Sequence, residues 1–159
     1  MTRRHLLAML SSIGLAPRPA SAQAIAAAPA IEPLRLSDAA WKQRLSPAQY
    51  GVLRHQGTEP AGSSPLNDEH RKGRFVCAGC ALPLFSSEAK FDSGTGWPSF
   101  FSALPGAVMT RTDYILILPR TEYHCARCEG HQGHVFGDGP KPTGKRYCNN
   151  GVALTFIPS

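Results

Sequence analysis

The sequence predicts a mainly β fold of short antiparallel strands, preceded by short helices and held together by a four-cysteine zinc site. Three observations lead to this fold class. The 159 residues include 15 glycines and 14 prolines, which favours frequent turns over long helices. Apolar residues make up 42% of the chain, as in ordinary globular proteins. Four of the five cysteines fall into two Cys-x-x-Cys pairs that are far apart in the sequence.

The first 22 residues have the layout of an export signal. Arg3 and Arg4 precede an apolar run of about 11 residues, and Ala20 and Ala22 provide a small-residue cleavage site. The twin arginines point to the twin-arginine route, so we expect export to a bacterial periplasm. The run is shorter than the roughly 20 residues of a spanning helix, so we expect no stable membrane insertion. The alternative is an ordinary N-terminus with accidental arginines.

Removal of this segment changes the charge of the chain. It takes away Arg3, Arg4 and Arg18 and no acidic residue, which lowers the formal net charge from +6 to +3. Because so mild a charge without a dense basic run does not suit a polyanion, we expect no nucleic-acid partner.

The next segment, residues 23–36, is rich in alanine and proline and is typical of a linker. The folded domain is therefore expected over residues 37–159. With this length the chain is expected to form one domain.

Two short helices are predicted at the start of that domain. Ser37 suits the N-cap of a helix that reaches Lys42, because its hydroxyl can accept a hydrogen bond from a free backbone N–H group. Ser46 and Pro47 suit the N-cap and the first position of a second helix. Residues 57–73 are polar, contain two prolines and predict a loop.

Short β-favouring runs between turns follow from residue 74 onward. No helical pattern separates them, which favours antiparallel pairing over parallel βαβ units. The predicted strands are 74–76, 82–85, 114–118, 121–124, 133–136 and 152–157.

The paired cysteines are Cys77 with Cys80 and Cys125 with Cys128. Four thiolates suit one tetrahedral, structural Zn²⁺, which would join two distant hairpins. Such binding contributes roughly 10 kcal/mol or more to folding, as much as the net stability of a typical domain. A site closed by four sulfurs leaves no open position for chemistry at the metal. The alternatives are two disulfides or a redox-active Cys-x-x-Cys pair.

Cys148 stands outside the two pairs. Arg146 lies two residues before it, and a neighbouring guanidinium lowers the pKa of a thiol and so favours a reactive thiolate. Asn150 would lie on the same side of an extended segment, where its amide could orient a polar group of a substrate. The alternative is a buried, inert cysteine beside surface charges.

Two further segments carry candidate substrate contacts. His131 and His134 are three residues apart among glycines, and they suit proton donors or hydrogen-bond donors to a substrate oxygen, or else an ordinary surface loop. Trp97, Phe100 and Phe101 form an aromatic group near flexible glycines, which suits a wall for a small apolar group, or else ordinary core.

Five motifs follow one another in the predicted domain, and their combination is highly specific. They are Cys77-x-x-Cys80, Ser93-Gly-x-Gly-Trp97-Pro-Ser-Phe100, Cys125-x-x-Cys128, Gly133-His-Val-Phe136-x-Asp-Gly-Pro140 and Arg146-Tyr-Cys-x-Asn150. With these motifs the domain resembles the B-type methionine sulfoxide reductases, which act on the R epimer of methionine sulfoxide. The resemblance implies a mostly antiparallel, β-tent-like fold of two sheets and one structural Zn²⁺ held by the two cysteine pairs.

The resemblance also implies a redox cycle at Cys148. This thiol would attack the sulfoxide sulfur and take up the oxygen as a sulfenic acid, a reversible state of cysteine, while methionine leaves. Arg146 would favour the thiolate. Many members of the family carry a second cysteine where this chain has Thr95, and that cysteine resolves the sulfenic acid as a disulfide. We therefore expect direct reduction by an external thiol, from a thioredoxin-like protein or a small molecule.

The remaining roles implied by the resemblance concern the substrate. His131, His134 and Asn150 would hold or protonate the sulfoxide oxygen, directly or through water. Trp97 would pack against the substrate methyl group, with Phe136 nearby. We expect a monomer that repairs oxidised proteins or peptides, with free methionine sulfoxide as a further candidate substrate. Two other functions stay open: a non-catalytic zinc-ribbon binding module, and a thiol–disulfide oxidoreductase that uses one Cys-x-x-Cys pair.

Overall fold

The computed structural model describes residues 30–114 and 117–159 of the chain. The predicted export signal over residues 1–22 lies outside these residues and stays a prediction. None of the helices in the described part of the chain is long and apolar enough to cross a bilayer.

The described end of the predicted linker, residues 30–36, forms neither helix nor strand. It nevertheless contacts the domain, because the Leu34 N–H group donates a hydrogen bond to the Arg127 carbonyl oxygen at 2.6 Å. Leu34 and Leu36 also pack against the hydrophobic core. This end of the linker is thus tied to the loop that carries the second cysteine pair.

Two short helices begin where the caps were predicted. Helix α1 spans Asp38–Arg44, and Ser37 Oγ accepts a hydrogen bond from a first-turn N–H group. Helix α2 spans Pro47–His55, and Ser46 and Gln49 form a reciprocal capping box at its start. Both predicted helices are confirmed, because their start signals lie within one turn of sequence.

Within the described residues, nine short strands follow the helices. A 3₁₀ turn over Pro65–Asp68 lies in the predicted loop, and further 3₁₀ turns cover Ser87–Ala89 and Gly151–Ala153. The strands are β1 Gly73–Cys77, β2 Pro83–Ser86, β3 Lys90–Phe91, β4 Ser99–Phe100, β5 Val108–Asp113, β6 Arg120–Cys125, β7 His131–Phe136, β8 Arg146–Asn149 and β9 Leu154–Pro158.

The strands form two antiparallel sheets, which confirms the predicted fold class. The smaller sheet has the order β2-β1-β9, and the larger has the order β3-β4-β8-β7-β6-β5. Strand β8 lies inside the larger sheet, with β4 on one side and β7 on the other. Its pairing with two strands fixes the backbone around Cys148 from both sides.

Aromatic side chains from both sheets form the centre of the core. Phe75 and Phe85 of the smaller sheet and Phe100 and Tyr123 of the larger are fully buried. The Phe85 and Phe100 rings stack at a centroid distance of 4.2 Å, and Phe75 meets Phe100 edge-on at 4.9 Å. Such ring pairs contribute about 0.5–1.5 kcal/mol each beyond the area they bury. Phe100 is therefore core, and Phe101 packs against the same cluster.

The predicted strand over residues 114–118 is wrong in its described part. Tyr114, Ile117 and Leu118 belong to no strand, and their exposed fractions are 76%, 102% and 76%. Ile115 and Leu116 lie outside the described residues. The apolar run belongs instead to the connection between β5 and β6. Strand β5 precedes it as a more polar segment, and two of its cross-strand pairs, Arg111 with Glu122 and Asp113 with Arg120, are ion pairs.

Strands β3, β4, β5 and β8 had no counterpart among the predictions. β3 and β4 have two residues each, which is too short for an alternating pattern. β5 and β8 are rich in polar residues, so hydropathy does not mark them. Strand β8, which carries Cys148, is defined by its hydrogen bonds to β4 and β7 and not by a hydropathy pattern.

Candidate active site

Cys148 lies at the floor of a small cavity in the larger sheet. Its partners across the ladders are Ser99 on β4 and His134 on β7. The Cys148 side chain is partly exposed. The cavity has a volume of about 140 Å³ and is lined by Thr58, Trp97, Arg120, Gly133, His134, Phe136, Cys148, Asn149 and Asn150.

Opposing influences act on the Cys148 thiol. Burial raises its pKa above the ordinary value, while the Arg146 guanidinium and the Thr95 hydroxyl lower it and the Asp138 carboxylate raises it slightly. Arg146 thus lowers the pKa of the Cys148 thiol, in the direction expected from the sequence. The net direction is upward, because desolvation of the thiolate is the largest effect. Cys148 is therefore mainly a thiol near pH 7, with two groups nearby that stabilise the anion.

Arg146 is held rigidly beside Cys148. Its Nε and Nη2 donate to the two carboxylate oxygens of Asp138 at 2.9 and 2.8 Å. Its guanidinium also lies over the Phe136 ring, 4.4 Å from the centroid. Asp138 was not predicted as a site residue, although it stands inside the Gly133–Pro140 motif. Its role becomes visible only when the fold brings β8 beside β7.

The two histidines each bind a carboxylate. His134 Nε2 lies 2.7 Å from Asp113 Oδ2, and His131 Nδ1 lies 2.7 Å from Glu122 Oε1. The two imidazole rings are neighbours with a centroid distance of 5.5 Å. His134 lines the cavity, whereas His131 lies behind it with 2% of its surface exposed. The structure thus brings the predicted pair together but gives only His134 a place on the wall.

The buried His131 has one free ring atom. Among the described residues, its Nε2 is buried without a hydrogen-bond partner. Burial lowers the pKa of His131, and the Glu122 carboxylate opposes this effect. The imidazole is therefore neutral near pH 7. Because Nδ1 faces a carboxylate, we place its proton there, which leaves Nε2 as a hydrogen-bond acceptor.

Each carboxylate also binds an arginine from the opposite strand. Glu122 accepts hydrogen bonds from Arg111, one of them at 3.1 Å, and Asp113 accepts one from Arg120 at 2.7 Å. The guanidinium and imidazole hydrogen bonds outweigh the burial of Glu122 and lower the pKa of its carboxyl. Sequence reasoning missed these four residues, since a charge inside a polar strand has no local signal for its cross-strand partner.

Asn150 lies on the cavity wall, but its amide is already bonded. Its Oδ1 accepts from the Glu59 N–H group at 3.0 Å, and its Nδ2 donates to the Gln132 carbonyl oxygen at 3.0 Å. These bonds tie the end of β8 to two other segments. A contact of Asn150 with a substrate oxygen, as predicted, would therefore involve an amide group that is already hydrogen-bonded to the backbone of Glu59 and Gln132.

Trp97 and Phe136 form the aromatic part of the wall. The Trp97 loop needs glycine at two positions, because φ is +70° at Gly94 and +87° at Gly96. The Trp97 indole N–H donates to the Glu59 carbonyl oxygen at 3.1 Å, which fixes the ring plane. Trp97 and Phe136 thus line the same cavity as Cys148, and their contact with a substrate methyl group stays a prediction.

The two cysteine pairs meet in a separate, buried cluster. The sulfur atoms of Cys77, Cys80, Cys125 and Cys128 all lie within 4.8 Å of one another. The distance is 3.6 Å between the sulfurs of Cys77 and Cys128, and 3.4 Å between those of Cys80 and Cys125. A tetrahedron with metal–sulfur bonds of about 2.3 Å has sulfur–sulfur edges of about 3.8 Å.

The chemistry of the cluster also suits a cation. The closest sulfur contacts run between the two pairs rather than within them, and all four cysteines are free. Gln132 Nε2 donates to Cys77 Sγ at 3.4 Å, a contact that stabilises a thiolate. These four residues could therefore hold one metal ion, and Zn²⁺ is the cation that a Cys₄ set at this spacing favours.

Comparison with known proteins agrees with this geometry. The SelR domain family matches residues 45–158. The chain is 56% identical over 123 residues to the peptide methionine sulfoxide reductase MsrB of Thiobacillus denitrificans, covering 77% of this chain and 93% of that protein. It is 50% identical over 123 residues to MsrB of Agrobacterium fabrum, covering 77% and 91%. It is 49% identical over 121 residues to MsrB of Leptospira interrogans, covering 76% and 92%.

These matches span both the cysteine cluster and the Cys148 cavity, and they confirm the resemblance that the motifs indicated. They leave the chain's first 44 residues outside the matched domain. The chain belongs to the SelR family, the family of the B-type peptide methionine sulfoxide reductases.

Proposed function

We propose that this chain repairs oxidised proteins by reducing methionine-R-sulfoxide to methionine at Cys148. The observation that carries the proposal is the position of the Cys148 sulfur, which faces a small cavity between an aromatic wall and His134. Trp97 and Phe136 suit the methyl group and the thioether carbons of the substrate, and His134 suits the sulfoxide oxygen. The family membership of the chain supports methionine sulfoxide as the substrate class.

The first half of the cycle transfers two electrons from enzyme to substrate. The Cys148 thiolate attacks the sulfoxide sulfur while the sulfoxide oxygen takes up a proton, because an unprotonated sulfoxide is a poor electrophile. The oxygen passes to Cys148, the sulfur–oxygen bond of the substrate breaks, and methionine leaves. Cys148 is oxidised to a sulfenic acid and the sulfoxide is reduced to a thioether.

The site contains groups for both proton transfers. Arg146 and Thr95 lower the pKa of Cys148 and so stabilise the thiolate against burial. His134 on the cavity wall is the candidate group that takes the thiol proton of Cys148 and passes it to the sulfoxide oxygen, and Asp113 orients its ring through Nε2. The neutral His131 packs edge-on against His134 and holds it in place from behind.

The second half of the cycle requires an external thiol. Thr95 stands beside Cys148 where a resolving cysteine would be needed, and the other four cysteines lie in the buried cluster. A thiol from a thioredoxin-like protein or a small molecule condenses with the sulfenic acid, which releases water and forms a mixed disulfide. A second thiol then reduces that disulfide and restores Cys148. Zinc in the cluster supplies a structural cross-link and no chemistry.

A sulfoxide assay on both epimers, with dithiothreitol as reductant, tests this proposal. We expect turnover of the R epimer only, and a sulfenic acid adduct of Cys148 after one turnover without reductant. A binding module without catalysis would turn over neither epimer. An intramolecular disulfide that includes Cys148 would contradict the single-cysteine cycle.

We further propose that the enzyme works in the periplasm after export through the twin-arginine route. The support is the arrangement of Arg3 and Arg4 before a short apolar run and a small-residue exit. Replacement of both arginines by lysine should leave the enzyme in the cytoplasmic fraction. Undiminished export of that variant would contradict the proposal.

A further inference from the structure

Glu59 is a buried carboxylate beside the cavity that the mechanism above does not use. It lies between α2 and the Pro65–Asp68 turn, and 6% of its surface is exposed. Its carboxylate accepts hydrogen bonds from the backbone N–H groups of Gly151 and Val152, the latter at 3.0 Å. No salt bridge of Glu59 occurs within residues 30–114 and 117–159. Backbone donors are therefore its observed partners.

Those two donors begin the 3₁₀ turn that follows Cys148. Such N–H groups have no partner inside the turn, and the N-cap side chain normally accepts from them. Here the N-cap is Asn150, which makes no side-chain cap bond because its amide is bonded to Glu59 and Gln132. Glu59 takes over the cap from a position 92 residues earlier in the chain.

The backbone of Glu59 bonds to both sides of the cavity. Its N–H group donates to Asn150 Oδ1 at 3.0 Å, and its carbonyl oxygen accepts from the Trp97 indole at 3.1 Å. One residue thus contacts the segment after Cys148 and the aromatic wall. The β4–β8 ladder already pairs Ser99 with Cys148, and Glu59 adds a second tie, between the Trp97 ring and the segment that follows Cys148.

The sequence opposite Glu59 makes room for this contact. A Cβ atom at Gly151 would lie 1.9 Å from Ser64 Oγ and 3.1 Å from Glu59 Oε1. The N–H group of residue 151 can therefore approach the carboxylate only because that residue is glycine. Ser64 is 6% exposed, and its hydroxyl accepts from the Leu66 N–H group, so it has little freedom to withdraw.

We propose that Glu59 is a positioning residue of the sulfoxide pocket, which fixes the Cys148–Val152 segment and the Trp97 ring in one geometry. The inference rests on the proposed function, because it assigns Trp97 and Cys148 to the two sides of the substrate. The Glu59 carboxylate binds the N–H groups of the turn that follows Cys148. The Glu59 backbone binds the Trp97 indole and the Asn150 amide. Loss of the carboxylate frees two N–H groups next to the nucleophile and loosens both sides.

The test compares Glu59→Gln with three references: the wild type, Glu88→Gln and Val52→Ala. Glutamine has the same size but offers one acceptor oxygen and a donor that faces the N–H groups. Glu88 lies in the exposed Ser87–Ala89 turn away from the cavity, so Glu88→Gln controls for loss of a charge. Val52 is buried in α2 and lines a neighbouring groove with Glu59 and Val152, so Val52→Ala controls for a loss of packing and stability in this region that leaves the Glu59 carboxylate in place.

The readouts are kcat and KM with an R-sulfoxide peptide, and the pH profile of Cys148 alkylation by iodoacetamide. For Glu59→Gln we expect kcat to fall about tenfold and KM to change less, since misplacement by about 1 Å costs up to about a hundredfold. We also expect the alkylation profile to move to lower pH, because a looser segment leaves Cys148 less buried. Both controls should keep the wild-type kcat and profile.

Wild-type kcat and alkylation profile in a fully folded Glu59→Gln variant would overturn the inference. So would an equal loss of kcat in Val52→Ala at an equal fall in thermal midpoint. The alkylation experiment uses no sulfoxide, so it reports on the position of Cys148 even if the wild type fails to turn over either epimer. In that case the proposed function fails, and a shifted Glu59→Gln profile still supports the positioning role.

Discussion

The molecule holds its five cysteines in two regions of opposite character. The four-cysteine cluster is buried, and its sulfur atoms contact one another and the uncharged amide of Gln132. Cys148 is partly exposed, and a guanidinium, a hydroxyl and a carboxylate all act on its pKa. The same side chain thus becomes structural where the surroundings offer three more sulfurs, and reactive where they offer charges and access.

The two regions are linked through one side chain. Gln132 donates to Cys77 Sγ in the cluster, and its Oε1 accepts from Asn149 Nδ2 at 3.4 Å. Asn149 follows Cys148 directly, and its Oδ1 accepts from the Tyr123 hydroxyl at 2.6 Å. These contacts connect the cluster to the backbone next to Cys148, and the proposed redox cycle uses none of the four cluster sulfurs.

The largest expected effect is the loss of stability that follows when the four-cysteine cluster is broken. Replacement of Cys80 by serine removes one of the four candidate ligands, and loss of the expected metal binding would cost roughly 10 kcal/mol, as much as the whole net stability of a domain. We expect an unfolded or partly folded protein without stoichiometric zinc, seen by circular dichroism and metal analysis. A folded, active Cys80→Ser protein would show that the cluster is not the structural centre.

The second effect is specific to activity. Cys148→Ser should lower kcat/KM by at least about a thousandfold, because a serine hydroxyl at neutral pH is a weak nucleophile and cannot form a sulfenic acid. Zinc content and thermal midpoint should match the wild type, in contrast to Cys80→Ser. Residual turnover near the wild-type value would remove Cys148 from the mechanism.

The cluster could be predicted from sequence and most of the pocket could not, for a physical reason. The Cys77–Cys80 and Cys125–Cys128 pairs are local turns, and their Cys-x-x-Cys spacing indicates a set of metal ligands without knowledge of the fold. The helix caps at Ser37 and Ser46 are local in the same way. The strand predicted over residues 114–118 was wrong in its described part. Hydropathy alone does not distinguish a strand from an exposed apolar connection that leads into one.

The pocket is assembled from contacts between distant strands. Asp113 on β5 and Glu122 on β6 orient the two histidines of β7, and Asp138 orients Arg146. Glu59 acts across 92 residues. The sequence could nominate Cys148 and its motif companions, but it carries no local signal for a carboxylate whose partner lies on another strand.

The third effect tests the charge beside the reactive cysteine. Arg146 opposes the effect of burial on Cys148, so Arg146→Met should raise the pKa of the thiol further. Methionine keeps part of the packing against Phe136 and removes the charge. A rise of about one unit lowers the thiolate fraction at neutral pH about tenfold. We expect Cys148 alkylation near pH 7 to slow by about this factor and to recover at higher pH.

Arg71→Met is the matched control for this variant. Arg71 is an exposed arginine that also pairs with a carboxylate, Glu69, and also lies over an aromatic ring, Phe156. Its removal should leave the alkylation profile unchanged. An unchanged profile in Arg146→Met would mean that the guanidinium does not reach the thiol in solution.

The smallest effect concerns pH and the buried histidine behind the pocket. Burial lowers the pKa of His131 in the folded state, while the unfolded chain keeps the ordinary value of about 6.5. As pH falls through that value, the unfolded state binds a proton that the folded state does not, so the free energy of unfolding decreases on acidification. We therefore expect the urea concentration at the unfolding midpoint to decrease as the pH is lowered below about 6.5.

His131→Gln isolates this contribution, because glutamine does not titrate and its amide can still donate to Glu122. The variant should lose part of the acid-side slope of the urea midpoint. Part of the slope should stay, because burial also lowers the pKa of His124. A steeper acid-side slope in the variant would instead mean that the folded state raises the pKa of His131 and holds the ring protonated. Glu122 would then hold an imidazolium, and His131 would join the charged region around Cys148 instead of the neutral support behind it.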